Sequence, residues 1–281
     1  MRFDEIRSHA KINISLGVLR KLKSKLHKIE SLVSFVDLYD EIRVKKIAGN
    51  KHKILFYGKF SNGINKNNTV TKLLQIFDQK KLLNNEKYLI KIKKKIPLKS
   101  GLGGGSMNAA SILKYFIRKN NMKLDRDNIS KITKKISSDT IIGLNKNSIF
   151  SKELRIKYAK LKFPLYLILI KPNFGSSSKD IYSRVKIYSK AKLDLKNYKY
   201  LSLKFISNLK NDLENPAFKK YPKLKNIKLF AENLDNVLFA RMSGSGSTIV
   251  SYSFTKKDAK KAQKILKKKY KNCWCILSKT I

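Results

Sequence analysis

Gly101-Leu102-Gly103-Gly104-Gly105-Ser106 is the stretch on which the reading of this chain turns. A bound phosphate needs several donors close together and little side-chain bulk. Glycine lets successive backbone N–H groups turn inward, and a helix N-terminus adds roughly half a positive charge. Before the stretch, Tyr88, Ile90 and Ile92 alternate along 88–93, and Pro97 closes that run. After it, Ala109, Ala110, Leu113, Phe116 and Ile117 recur at helical spacing. The order is strand, glycine-rich turn, helix. Ser106 can add a hydroxyl to a phosphate or to a bound metal ion. A merely flexible turn accounts less well for so many glycines ahead of a regular helix.

The commoner nucleotide folds do not fit. A Walker loop ends in Gly-Lys-Ser/Thr, which is absent. A dinucleotide fold needs glycine where Ser106 stands, and a strand-turn-helix unit at its start. A protein kinase needs Asp-Phe-Gly and His-Arg-Asp, and neither occurs.

Outward from the loop, Ala10, Ile12, Ile14, Leu16 and Val18 alternate with Lys11, Asn13, Ser15 and Gly17, the pattern of a half-buried strand. Lys11 and Asn13 share its polar face. That face can line a site, and alternation alone fits an ordinary solvated face as well. Residues 128–136 read as a short helix, 166–170 as a buried strand, 248–254 and 273–277 as strands, and 259–269 as an amphipathic helix. A second glycine loop, Met242-Ser243-Gly244-Ser245-Gly246-Ser247, precedes Thr248. It suits close approach to ligand phosphates and tight backbone packing equally. The mixture of strands and helices predicts an α+β fold.

The chain carries 64 Lys+Arg against 19 Asp+Glu, a net charge of +45 over 281 residues. A nucleic-acid-binding surface is one reading of that excess. Lysines spread through every segment beside frequent Ile and Asn favour a compositional bias instead. Either way the field attracts anionic ligands such as nucleotides. Cys273 and Cys275 stand too close for an unstrained disulfide, no Cys/His spacing suits zinc, and a reducing, cytoplasmic setting is expected. No secretory signal is expected from the polar first residues, and the longest apolar run, 165–170, is too short to cross a membrane.

The run Pro97-Leu98-Lys99-Ser100-Gly101-Leu102-Gly103-Gly104-Gly105-Ser106 resembles the phosphate motif of the GHMP kinase superfamily, which contains galactokinase, homoserine kinase and mevalonate kinase. Ser8-His9-Ala10-Lys11-Ile12-Asn13, His27 with Ile29-Glu30-Ser31-Leu32, Asn211-Asp212-Leu213-Glu214 and Arg241 to Ser247 resemble, in order, segments of one branch. That branch phosphorylates a cytidine-diphosphate-linked methylerythritol on its 2-hydroxyl, with ATP, in the non-mevalonate route to isoprenoid precursors. The resemblance covers nearly the whole chain. It implies a two-lobed fold with catalysis in the cleft between lobes, here 1–160 with the phosphate loop and 161–281 contributing to the substrate site.

By the same resemblance Asp139 is the base and Lys11 its partner. The loop from Pro97 through Met107 holds ATP, with Lys94 and Asn68 near the adenine, and Asn13, His27 and Tyr182 meet the second substrate. An ordinary solvated face stays open for Lys94 and a core aromatic for Tyr182. Mg2+ is implied with ATP; a nucleic acid or membrane partner is not, and monomer and homodimer both remain open. The chain departs from the pattern at several points. Ser137-Ser138-Asp139-Thr140-Ile141 replaces Gly-Ala-Asp-Val-Pro, Leu26 replaces a tyrosine, Met107 a serine and His9 a proline. Another GHMP kinase, of homoserine or mevalonate type, is the near alternative, and a basic nucleic-acid-binding protein the distant one.

Overall fold

The structure, a computed structural model, describes residues 2–24, 26–145, 148–151, 155–158, 160–161, 163–193 and 200–281. Along the chain run β1 (Asp4–Lys21), β2 (His27–Ile47), β3 (Lys53–Tyr57), α1 (Thr69–Gln79), β4 (Lys87–Lys93), α2 (Gly104–Lys119), α3 (Arg126–Ile136), α4 (Thr140–Gly143), β5 (Ser148–Ser151) and β6 (Arg155–Tyr158). Then follow β7 (Lys160–Leu161), β8 (Tyr166–Lys171), α5 (Ser178–Ser183), β9 (Tyr200–Leu201), α6 (Leu203–Asn208), α7 (Glu214–Lys220), α8 (Pro222–Glu232), β10 (Phe239–Met242), β11 (Ile249–Ser253), α9 (Lys256–Lys269) and β12 (Trp274–Lys279). The fold is α+β, as the sequence predicts.

The chain forms two units: residues 1–10, 38–98 and 103–146, and residues 11–37, 99–102 and 147–281. A single boundary near residue 160 describes two continuous lobes. The units are discontinuous, because β1 and β2 each carry residues of both, and 99–102 belongs to the second unit.

In the first unit, Glu41–Ile47 of β2 runs antiparallel to β4, and β4 runs parallel to β3. A parallel pair needs a long crossover, and the connection through α1 supplies it. The alternation of β4 puts Tyr88, Ile90 and Ile92 inward with Ile42 and Val44, against Leu73 and Phe77 of α1 and Leu113 and Phe116 of α2. Each such side chain, fully buried, contributes about 1.5–3 kcal/mol. Arg43, Lys45, Lys91 and Lys93 sit on the alternate positions and are at least partly exposed.

Lys94 continues this alternation but places a charge on the inward side. Its side chain is only 2% exposed and ion-pairs with Asp40, which has no exposed surface. The Asp40 carboxylate also accepts the backbone N–H groups of Lys95 (2.7 Å) and Ile96 (2.9 Å). Burial pushes the Lys94 pKa down, and Asp40 opposes that shift. A solvated face therefore does not describe Lys94.

In the second unit, β10, β11, β8 and β12 form an antiparallel sheet in that order. β8 lies inside it, which explains the unbroken apolar run read from the sequence. Helices α7, α8 and α9 cover it through Ala217, Leu224, Ile227, Ala259, Ala262 and Leu266. The first part of β2 pairs with β5, β5 with β6, and β7 with β9.

β1 differs from expectation. Ala10, Ile12, Ile14, Leu16 and Val18 are buried, as predicted, but so are Lys11, Asn13 and Ser15 on the polar face. That face meets a polar network rather than solvent. Cys273 and Cys275 are free, and burial pushes the Cys275 thiol up to about 12. No helix among the described residues is long and apolar enough to cross a membrane.

Removing one partner of a buried ion pair leaves the other charge uncompensated, at a cost of about 3–5 kcal/mol. Asp40→Asn and Lys94→Met should each lower stability by that order in urea unfolding. The double variant, D40L with K94M, should lower it less than either single change.

Candidate active site

In the first unit, α2 begins without a side-chain cap. Its N-cap, Gly103, is left-handed at φ 70°, no acidic residue stands in the first turn, and the cap makes no side-chain hydrogen bond. By contrast Asn68 caps α1, Asp125 caps α3 and Thr255 caps α9. The first helical bond is Met107 N–H to Gly103 O at 2.9 Å. The amides of 104–106 precede it, so the positive end of the helix is left open to an anion.

Packing explains two of these glycines. A Cβ on Gly104 would lie 3.0 Å from Ile96 Cγ2 and 3.3 Å from Lys94 Nζ. The Lys94 ammonium thus lies close to the first turn. A Cβ on Gly105 would lie 3.2 Å from Thr69 Oγ1, whose hydroxyl donates to Gly105 O at 2.7 Å. Asn68 accepts from Val70 and Thr71 N–H and donates to Asn65 O at 3.0 Å, so its amide is committed to the α1 cap. Met107 is buried, and a Cβ on Gly143 would meet its Sδ at 3.1 Å and Ala110 Cβ at 2.5 Å. Met107 therefore contributes packing rather than a phosphate contact by its side chain. The close approach of α4 to α2 holds the turn that carries Asp139, the half-buried N-cap of α4.

In the second unit, Lys11 Nζ donates to Asn13 Oδ1 at 2.6 Å, and Asn13 Nδ2 donates to Ser31 Oγ at 2.8 Å. Ser31 in turn donates to Ser15 O at 2.5 Å. Asn13 N–H donates to Ser243 Oγ at 3.2 Å, and Ser243 Oγ donates to Gly101 O at 3.0 Å. Gly101, at φ +77°, admits no side chain, since its Cβ would lie 2.1 Å from Ser243 O. Thr248 N–H donates to Ser100 O at 3.1 Å, and Lys99 O accepts Ser176 N–H at 3.1 Å. The second glycine loop thus packs on the backbone of 100–101. A Cβ on Gly244 would also lie 3.2 Å from Asn13 Oδ1 and 3.6 Å from Lys11 Nζ.

Two further motifs hold this arrangement. Asn211 Nδ2 donates to Met242 O (2.7 Å) and Gly244 O (2.8 Å), and Asp212 accepts Val18 N–H at 2.7 Å. Arg241 donates to Ile14 O (2.9 Å) and Ile206 O (3.1 Å). These residues tie the second glycine loop, α6 and β1 together.

The second unit also brings His27 and Tyr182 together, with ring centroids 5.3 Å apart, and Tyr188 lies 6.4 Å from His27. Burial, then Lys21, lowers the His27 pKa. The imidazole is neutral near pH 7 and can both donate and accept at a base edge. Glu30 accepts Lys192 N–H at 2.7 Å, and Val18 O accepts Ser189 N–H at 2.9 Å, which pins the segment carrying Tyr188.

Sequence reasoning missed Asp40, Ser31, Ser243 and Tyr188. Only Asp40 leaves a local signal, an acid set two residues before the buried Ile42. Among the described residues no three His, Cys, Asp or Glu side chains converge as a metal cage. Mg2+ bound with a nucleotide keeps several waters and takes one or two protein carboxylates besides phosphate oxygens. Asp139, half-buried at the start of α4, is a carboxylate of the kind such an ion can take.

The GHMP kinases N terminal domain matches residues 68–147, and the GHMP kinases C terminal domain matches residues 200–272. The chain is 50% identical over 278 residues to the 4-diphosphocytidyl-2-C-methyl-D-erythritol kinase of Pelagibacter ubique, covering 99% of each. It is 31% identical over 276 residues to the same-named kinase of Clostridium botulinum, covering 95% of this chain and 96% of that one. A solved 4-(cytidine 5'-diphospho)-2C-methyl-D-erythritol kinase superposes with TM-score 0.77 at 20% identity, over 98% of this chain and 99% of that one. Mevalonate kinase of L. major superposes with TM-score 0.72 at 13% identity, over 99% and 95%.

The 2.1 Å approach at Gly101 sets a prediction. Gly101→Ala adds left-handed strain and overpacking, together roughly 2–5 kcal/mol. Urea unfolding should register that loss, and Ser100→Ala should give a smaller one.

Proposed function

Because this chain belongs to the GHMP kinases, and among them to the 4-diphosphocytidyl-2-C-methyl-D-erythritol kinases, we propose that it transfers the γ-phosphoryl group of ATP to the 2-hydroxyl of the cytidine-diphosphate-linked methylerythritol. The observation that carries the ATP half is the uncapped start of α2, with the Lys94 ammonium beside it. The neutral His27 and its Tyr182 neighbour support the cytidine half.

Phosphoryl transfer needs positioning and charge neutralisation more than covalent help. The amides of 104–106 and the Ser106 hydroxyl bind and orient phosphate oxygens. Asp139 accepts the proton of the attacking hydroxyl, and Lys11 is the cation of the transfer. Asn13 holds the Lys11 ammonium through its side-chain oxygen. His27 reads the base edge, and Tyr182 supplies stacking worth roughly 1–3 kcal/mol per base. Mg2+, when bound, would neutralise charge on the phosphates, and Asp139 would be a carboxylate able to hold it. The reaction takes place in the cytosol, on small molecules. The basic excess serves attraction of anions in general: exposed lysines lie on α9 of the second unit as well as on the sheet of the first.

Turnover should be measured with the cytidyl substrate, its uridyl analogue, homoserine and mevalonate. The cytidyl compound should give the highest kcat/KM, and turnover of mevalonate or homoserine without it overturns the substrate assignment. Asp139→Asn should keep the fold and lose on the order of 100-fold or more in kcat; near-normal turnover removes Asp139 from the chemistry.

A further inference from the structure

Ser106 opens a chain of hydroxyls within the first unit. Its Oγ lies 2.8 Å from Ser137 Oγ, and Ser137 Oγ lies 2.8 Å from Thr140 Oγ1. Either atom of each pair could be the donor, so distance alone does not orient the chain. Burial does. Thr140 has no exposed surface, and Ser137 is its hydroxyl's hydrogen-bond partner. A buried donor left unused costs its full desolvation, so the Thr140 hydrogen goes to Ser137. Ser137 carries a single hydrogen and already accepts from Thr140. That hydrogen is then available to Ser106, 2.8 Å away. Ser106 is only partly buried and accepts from Ser137, which leaves its own hydrogen directed away from the chain.

We infer that Thr140, acting through Ser137, is a positioning residue that fixes the Ser106 hydroxyl as a hydrogen-bond donor to an anionic phosphate oxygen. The inference decides between the two uses open to Ser106, phosphate or metal, in favour of phosphate. It also joins the turn around Asp139 to the start of α2, since Ser137 and Thr140 flank that aspartate. The backbone makes the geometry rigid: Ser137 N–H donates to Thr133 O at 3.1 Å, and Thr140 N–H donates to Ser137 O at 3.2 Å. The inference rests on the proposed ATP site but not on the identity of the second substrate.

The test is a double-mutant cycle on the full chain, read as ATP affinity by titration calorimetry and as KM for ATP and kcat in turnover. Ser106→Ala should weaken ATP binding about tenfold, the scale of a hydrogen bond to a charged group. Thr140→Val keeps the shape and removes the donor, and should weaken ATP binding about three- to tenfold. Thr140→Ser should restore it. In the Ser106→Ala background, Thr140→Val should change nothing further. Mg2+ dependence should be the same in all variants. Thermal melts check that each variant is folded.

Loss of affinity by Thr140→Val that persists in the Ser106→Ala background overturns the inference, as does wild-type affinity in Thr140→Val. A raised Mg2+ requirement confined to Ser106→Ala overturns it in favour of metal ligation. An enzyme that binds ATP but leaves the cytidyl substrate unphosphorylated contradicts the proposed acceptor alone, and the affinity cycle still decides the inference.

Discussion

Gly101 has no room for a side chain because the carbonyl of Ser243 occupies the position a Cβ would take, 2.1 Å away. This approach fixes the second glycine loop against the backbone of Gly101 within the second unit. Ser243 then reaches both Gly101 O and Asn13 N–H with one hydroxyl, and Asn13 carries the tie on to Lys11 and Ser31. Asn211 and Arg241 brace the same region from behind, through carbonyls of the second loop and of β1. The polar face of β1 is consequently buried and fully engaged. Lys11 Nζ is held in place by a short bond to the Asn13 side-chain oxygen.

In the first unit the decisive term is electrostatic. An uncapped helix start offers about half a unit of positive charge. The Lys94 ammonium beside it is a full unit, but burial disfavours that charge. Asp40 opposes the shift and satisfies two backbone amides as well. A neutral pair results locally, which supports a rigid loop as much as it attracts phosphate. The broader attraction comes from the net charge of +45.

Much of the frame is legible in the sequence because it follows from periodicity. β4, α2, α3, β8, α9 and the apolar side of β1 each announce themselves through spacing. β2 does not: the pairs Leu32-Val33 and Phe35-Val36 break the two-residue alternation. The pairing of Asp40 with Lys94 is a contact across 54 positions, which no local pattern encodes. The sequence left two uses open for the second glycine loop, and its glycines are closely packed, Gly244 against Asn13 and Gly246 against Met242. Asn211, Asp212 and Arg241 lie in segments that resemble the family, and each carries a bracing hydrogen bond. In the candidate site the loop and the His27–Tyr182 pair were readable through resemblance, whereas Tyr188 and the hydroxyls of Ser137 and Thr140 emerge only from the fold. Met107 illustrates the limit: read as a missing hydroxyl, it is a buried side chain packed where Gly143 approaches α2.

The central claim is that one phosphoryl group passes from ATP to an alcohol of the cytidine-diphosphate-linked polyol. Phosphorus NMR of the protein with ATP, Mg2+ and that substrate tests it most directly. The account predicts a new phosphomonoester resonance that grows in step with ADP while the diphosphate resonances of the cytidyl compound remain. Growth of ADP with inorganic phosphate and no new ester would contradict it.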